Sequence, residues 1–346
     1  MRVDIRQRLY LAGKIVFTGK LPSSSYQDIP SISAEEVAEA KSFFPMEKFF
    51  IFGHARSGTT LLVRLIRLHP EVHCNYQAHF FTRPPLLQGL VADTEVRAWL
   101  ARRSNRWNHG RDLSPVVLRA AADFIMERDA RREGKSIVGD KSPSSLMNGK
   151  AVHLLHKVYP DARLIYIVRD GRDALISHRF QGFIDSPQHL SREDLSIRDT
   201  FLHDPKPYLQ AKRSLFANKG LRRSVEGWVR NLADTDEGGI SLFEDKYLSL
   251  RYEDLLENPR IQMNRLWSFL GVDLKVKGLQ TALDEELKKN PDADWQQKKA
   301  GELIEHLEKG KQGSWRELFT LEDRQVFKEI GGRTLIEWGY EQDYDW

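Results

Sequence analysis

A three-layer α/β fold, an open and mostly parallel sheet with helices on both faces, is the architecture this sequence predicts, and three observations predict it. Short apolar runs alternate with helix-length segments along most of the chain. The run Ala162-Arg163-Leu164-Ile165-Tyr166-Ile167-Val168 is apolar almost throughout, as a parallel strand covered on both faces must be. The run Phe49-Phe50-Ile51-Phe52 ends at Gly53, and a small-residue loop then leads into the helical pattern Leu61, Leu62, Leu65, Ile66, Leu68. That is a strand–loop–helix turn, whose backbone N–H groups and helix N-terminus converge on an anion.

The elements follow in order. Residues 1–45 read as an N-terminal extension, polar around Leu21-Pro22-Ser23-Ser24-Ser25, with a helix over 34–42; residues 46–346 read as a single domain. The first strand spans 48–53. Asp93 and Ser114-Pro115 supply N-cap chemistry for two helices, the second stopping at Gly134. A strand over 136–139, a helix over 149–159, the strand at 162–168 and a helix starting near Asp170 come next. Residues 181–210, rich in Pro, His and Asp, read as a long irregular insertion of the kind that lines binding sites. A helix over 221–232, a strand over 247–251, an Asp254 cap, and a helix over 259–270 stopped by Gly271 follow. A Lys-rich polar segment, 288–311, and a helix over 321–339 complete the chain.

The 346 residues suffice for one large domain, and 40% hydrophobic with 29% charged residues is ordinary for a soluble globular protein. The net charge of +4 is spread over many charges of both signs and does not imply a nucleic-acid partner. Arginines do cluster, at Arg97, Arg102, Arg103, Arg106 and Arg111, and again at Arg131-Arg132 and Arg222-Arg223. Each cluster is either a solvated face or an approach for an anionic ligand. One cysteine, Cys74, excludes an intramolecular disulfide and a cysteine metal cluster. The apolar stretch over 9–17 is broken by Gly13 and Lys14, too short and interrupted for a membrane span, and no small-residue cleavage site follows it. These features together predict a cytoplasmic protein.

Four segments carry chemistry. In the first, Gly53-x-x-x-x-Gly58 with Thr60 matches the spacing of a triphosphate-binding loop, yet Thr59 stands where that loop needs lysine, and Arg56 sits inside it. Such a loop suits a different phosphorylated nucleotide. The second is Val168-Arg169-Asp170-Gly171-Arg172-Asp173, with Ser177 beyond it. It places an arginine at the C-terminal end of a buried strand, where open α/β sheets bind ligands and where a guanidinium can take a phosphate in bidentate fashion. An ion pair between Arg169 and Asp173 that caps the helix is the other reading. The third is Arg251-Tyr252-Glu253-Asp254, and the fourth Lys309-Gly310-Lys311-Gln312-Gly313-Ser314-Trp315, a basic glycine-spaced loop able to wrap a second phosphate.

In this order the four segments resemble the sulfotransferase family that uses 3′-phosphoadenosine 5′-phosphosulfate (PAPS), over roughly residues 48–340. The resemblance implies the P-loop-like sulfotransferase fold, PAPS as co-substrate without a metal, and sulfuryl transfer to the hydroxyl or amine of a small-molecule, lipid, glycan or peptide acceptor. It makes Arg56, Ser57, Gly58, Thr59 and Thr60 the 5′-phosphosulfate loop, and Arg169 with Ser177 the 3′-phosphate pair. It sets Tyr252 near the adenosine and makes Lys309 and Gly310 part of the loop closing over the 3′-phosphate. The wording of the first two segments, with His69-Pro70-Glu71-Val72, is similar to the tyrosylprotein and bacterial branches. In the tyrosylprotein branch a lysine resembling Lys141 acts at the sulfuryl group; without the resemblance Lys141 reads as a solvated loop residue. Two departures stand out. Glu308 replaces an arginine common in cytosolic members, and Gln77 replaces a catalytic glutamate of the tyrosylprotein branch. His79 is the favoured base, since an ordinary imidazole accepts a proton at neutral pH; the rival reading is a half-buried histidine beside Phe80 and Phe81. His73, Asp140 and His109 rank behind it. Two other functions compete: a degenerate P-loop nucleotide kinase or NTPase, and a non-catalytic nucleotide-binding protein.

Overall fold

The computed structural model describes residues 28–83, 87, 89–104, 106–289 and 312–346. Five strands, β1 (Glu47–Gly53), β2 (Val72–Tyr76), β3 (Ile137–Lys141), β4 (Arg163–Val168) and β5 (Tyr247–Arg251), form one sheet in the order β2-β3-β1-β4-β5. Each pairing is parallel. From β1 the chain runs out to the edge at β2, returns to β3, then crosses to β4 and β5. Connections leaving β1 and β4 therefore diverge, which opens a crevice at their carboxyl ends.

The central strand shows why the apolar runs are continuous. Phe50 and Phe52 enter one core with Phe81, Tyr159 and Tyr166, whereas Phe49 and Ile51 enter the other with Leu62, Leu65 and Trp267. Truncating one of these phenylalanines to alanine costs about 3–5 kcal/mol.

Helices cover both faces: α1 (Ala34–Phe43), α2 (Thr59–Ile66), α3 (Ser114–Arg132), α4 (Gly149–Val158), α5 (Gly171–Asp185), α6 (Arg192–His203), α7 (Asn218–Phe243), α8 (Tyr252–Glu257), α9 (Pro259–Leu270), α10 (Leu279–Lys288) and α11 (Leu321–Glu337), with further short helices between some of them, among them Thr94–Leu100, which Asp93 caps as expected. The described part of the N-terminal extension is docked on the domain. Its helix α1 opens at a reciprocal Ser33–Glu36 capping box, Ile32 N donates to the Lys157 carbonyl at 2.8 Å, and Ile29 joins the core.

Several local expectations change. β3 runs to Lys141 rather than ending at 139, because Asp140 and Lys141 continue the ladder opposite Phe50 and Ile51. Leu113 is the cap position of α3 and brings no side-chain cap, while Ser114 lies inside the helix with its N–H donating to Asp112 Oδ1 at 2.9 Å. Residues 181–210 are largely helical. The end of α5 lies there, and α6 is capped by Ser191, whose hydroxyl accepts from Asp194 N. α8 leaves β5 directly at Tyr252, so Asp254 lies within it and takes the Arg251 guanidinium. Among the described residues no helix is long and apolar enough to cross a membrane.

Candidate active site

The loop after β1 is shaped by two glycines. A Cβ at Gly53 would lie 2.8 Å from the Ile167 carbonyl oxygen on β4, and one at Gly58 would lie 2.1 Å from the Tyr252 ring. Gly58 also adopts φ +85°, which a side chain disfavours, and Arg56 at φ +71° pays that cost without being glycine. Ser57 N closes the loop on the His54 carbonyl at 3.1 Å. The Ser57 hydroxyl is buried with no hydrogen-bond partner among the described residues, and the N-terminus of α2 has no side-chain cap. Loop, orphan hydroxyl and uncapped amides fit a phosphate group. Thr59, which stands where a triphosphate loop keeps its lysine, is buried and brings no charge of its own.

Cations arrive instead from the neighbouring strands. Arg169, at the end of β4, donates from Nη1 to the Arg56 carbonyl at 3.1 Å, and its guanidinium lies over the Tyr252 ring, 4.9 Å from the centroid. Asp170 caps α5 by accepting from Arg172 N, and Ser177, two turns along, accepts from Arg56 Nε at 3.1 Å. Arg56, Ser57, Gly58, Arg169, Ser177 and Tyr252 thus lie together in one cluster. Asp173 holds something else: its carboxylate accepts from Gly313 N at 2.6 Å and Trp315 N at 3.0 Å. The Arg172 guanidinium sits 3.8 Å from the Trp315 ring centroid. The end of the C-terminal glycine loop is therefore fastened to the helix that carries Ser177. Lys309 and Gly310, with Glu308, lie outside the described residues.

From the other side of β1, Lys141 at the end of β3 donates to Thr60 Oγ1 at 3.2 Å. It is a buried strand residue, not a solvated loop lysine, with 1% exposure. Among the described residues no ion pair joins its ammonium to a carboxylate, and burial lowers its pKa against the opposing charge of Asp140. A buried cation with no carboxylate paired to it is expensive and is relieved by a bound anion.

The segment after β2 faces Lys141. Gln77 is exposed, and its N–H donates to the Lys141 carbonyl at 2.7 Å. His79 is buried, shares a hydrogen bond between Nδ1 and Thr82 Oγ1 at 2.7 Å, and donates its N–H to Ser142 Oγ. Burial first, then the charges of Arg83 and Lys141, push its imidazole down to about 4. His79 is therefore not the ordinary imidazole expected from sequence; it stays neutral throughout the neutral range. Burial pushes Asp140 up to about 6. His73 is committed elsewhere, between Glu133 at 2.8 Å and Asn75 at 2.7 Å, in a cleft of about 250 Å³ beside Tyr76. Two of the clustered arginines turn to the N-terminal segment: Arg97 donates to the Asp28 carbonyl and Arg111 pairs with Glu36. Sequence reasoning passed over His54, buried in the loop itself and pushed down to about 4 by burial, and the anchoring role of Asp173. Among the described residues no group of His, Cys, Asp and Glu is arranged to hold a metal ion.

Comparisons with known proteins identify the family. Protein-tyrosine sulfotransferase 1 of Danio rerio is 29% identical over 66% of this chain and 54% of its own length, and protein-tyrosine sulfotransferase A of Caenorhabditis elegans 26% identical over 64% and 49%. The chain spans about half the length of these curated relatives. A mouse sulfotransferase crystallised with PAP aligns with a TM-score of 0.46 at 17% identity, covering 89% of this chain and 94% of that one. The model of the sulfotransferase family matches residues 48–275, from β1 past the end of α9 and well over half the chain, and the chain belongs to that family.

Proposed function

We propose that this protein is a sulfotransferase that takes the sulfuryl group from 3′-phosphoadenosine 5′-phosphosulfate and delivers it to a hydroxyl or amine acceptor. The observation that carries the proposal is the junction of Arg56 with both Ser177 and Arg169, which brings two sequence-distant anion cradles to one crevice. When bound, the co-substrate supplies an activated sulfuryl group on a good phosphate leaving group. Arg56, the Ser57 hydroxyl and the first amides of α2 hold the 5′-phosphate end and neutralise the charge that grows there. Arg169 and Ser177 hold the 3′-phosphate, and Tyr252 lines the adenosine side. Lys141 supplies positive charge at the transferring group from a buried position that water does not screen. His79 accepts the acceptor proton at Nε2; its lowered pKa keeps it available as a base well below neutrality, at the cost of basicity.

The acceptor approaches past Tyr76 and Gln77, which are exposed beside Lys141; the Tyr76 ring centroid is 5.7 Å from Nζ. Gln77 has no carboxylate to accept a proton, which leaves that duty to His79. The names of the relatives make a phenolic acceptor the first class to test. The proposal keeps a cytoplasmic setting, supported by the single, buried Cys74. The deciding experiment is an acceptor screen with radiolabelled sulfuryl donor over phenols, tyrosine peptides, glycans and lipid alcohols. Transfer to one class supports the proposal. Binding of 3′-phosphoadenosine 5′-phosphate with no transfer to any class favours a non-catalytic nucleotide-binding protein, and phosphate release from ATP with magnesium would favour the NTPase.

A further inference from the structure

β3 ends in two residues that face opposite sides of the sheet. Lys141 shares the side of Ile137, which packs with α2; Asp140 shares the side of Val138, which packs with Phe80 and Phe81. Asp140 is 2% exposed, too buried to touch an acceptor. Its Oδ1 accepts from Ala78 N at 3.0 Å, and its Oδ2 accepts from Ser142 Oγ at 2.6 Å. Ser142 Oγ in turn accepts from His79 N at 2.9 Å, while Gln77 N donates to the Lys141 carbonyl at 2.7 Å. Three successive amides, 77 to 79, are thus held by the end of one strand.

They need holding. Gln77 and His79 both sit at φ +55°, a region that residues with a Cβ avoid at a cost of order 1–3 kcal/mol each. The turn has no glycine to make that conformation easy. Local preference would release it, and the tether to Asp140 opposes the release. The same tether sets where the His79 ring lies relative to Lys141, whose charge helps hold the imidazole's pKa down.

Building on the sulfotransferase reading above, we infer that Asp140 is the positioning residue of the acceptor side: through Ala78 N–H and the Ser142 hydroxyl it holds the Gln77–His79 turn in register with Lys141, and so controls acceptor alignment without touching the nucleotide. The nucleotide cradle lies on the loops after β1 and β4, on the other side of β1 from the turn. Donor binding and acceptor alignment are therefore separable by mutation.

The test compares Asp140→Ala, Asp140→Asn and Ser142→Ala with the wild type in three measurements on the full chain: calorimetric Kd for 3′-phosphoadenosine 5′-phosphate, kcat with acceptor KM, and amide hydrogen exchange at residues 77–79. In Asp140→Ala the Kd stays within about twofold of wild type while kcat falls on the order of 10²-fold, the loss expected when a reacting group shifts by about 1 Å. Exchange at Ala78 and His79 accelerates, with the nucleotide loop unchanged. Asp140→Asn recovers part of kcat, because its amide oxygen still accepts from Ala78 N–H, and Ser142→Ala falls between the two. Unchanged kcat, or protection at Ala78 and His79 that survives Asp140→Ala, overturns the inference. So does a parallel loss of Kd and kcat, the mark of a general structural role. A wild type that transfers nothing overturns the sulfotransferase reading instead; the exchange measurement tells the two failures apart.

Discussion

Lys141 Nζ, at the end of β3, donates to Thr60 Oγ1 in the first turn of α2 at 3.2 Å, reaching past the end of β1. The contact holds a buried ammonium against an anion-binding helix N-terminus, where charge would develop during transfer. Lys141→Met keeps most of the side-chain volume and removes the charge. We expect kcat to fall by on the order of 10²–10³ with donor KM little changed, as when a single preorganised charge donor is removed. Steady-state kinetics at saturating acceptor check this. A collapse of donor affinity with kcat preserved would move Lys141 from the chemistry to nucleotide binding.

Arg169 is expected to behave in the opposite way. Arg169→Ala should raise the donor KM by roughly 10- to 100-fold, the equivalent of one or two charged hydrogen bonds, and leave kcat at saturation near wild type. Arg169→Lys should recover little, because an ammonium cannot reproduce the planar fork that also lies over Tyr252. Donor titrations at fixed acceptor report both.

Gly58→Ala puts a methyl group into the Tyr252 ring and into a left-handed backbone at once. The variant should lose about 1–3 kcal/mol of stability and bind nucleotide more weakly. Tyr252→Ala in the same chain should relieve the steric part and leave the backbone part. Thermal unfolding of the single and double variants separates the two.

The pH dependence of stability has a definite sign. His54 and His79 are pushed down to about 4, mainly by burial, so between pH 4 and 6.5 the unfolded chain holds protons that the folded chain does not. Their contribution to stability is therefore present above 6.5 and lost as the pH falls through this window. Asp140, pushed up to about 6 by burial, works against them: the folded chain holds its proton between 3.8 and 6, and its contribution falls as pH rises. His54→Gln should flatten the dependence of the unfolding midpoint between pH 4.5 and 7, and Asp140→Asn should steepen it.

The sheet and the strand–loop–helix turn after β1 were legible in the sequence, for a common physical reason. A strand buried on both faces must be apolar throughout, and a loop that receives phosphate must be small, so Phe49–Phe52, Gly53 and Gly58 announce themselves without knowledge of what packs on them. Arg169 was legible because it directly follows such a strand. The 181–210 segment was misread because its polar composition hides a short capped helix, although Ser191 followed by Asp194 is a capping signal. The turn over residues 77–79 was hardest to read. Its shape rests on hydrogen bonds between Asp140, Ala78, Ser142 and His79 across about 60 residues of sequence, and no local pattern records such a partnership. Nor does residue type reveal that burial takes His79 far from its ordinary pKa.

The most direct measurement of the two-cradle arrangement is a calorimetric comparison of 3′-phosphoadenosine 5′-phosphate with adenosine 5′-monophosphate, on the wild type and on Arg169→Ala. A crevice that grips both ends should bind the bisphosphate at least about tenfold more tightly than the monophosphate, and Arg169→Ala should abolish that difference while leaving monophosphate affinity nearly intact. Equal affinity of the wild type for the two nucleotides would contradict it.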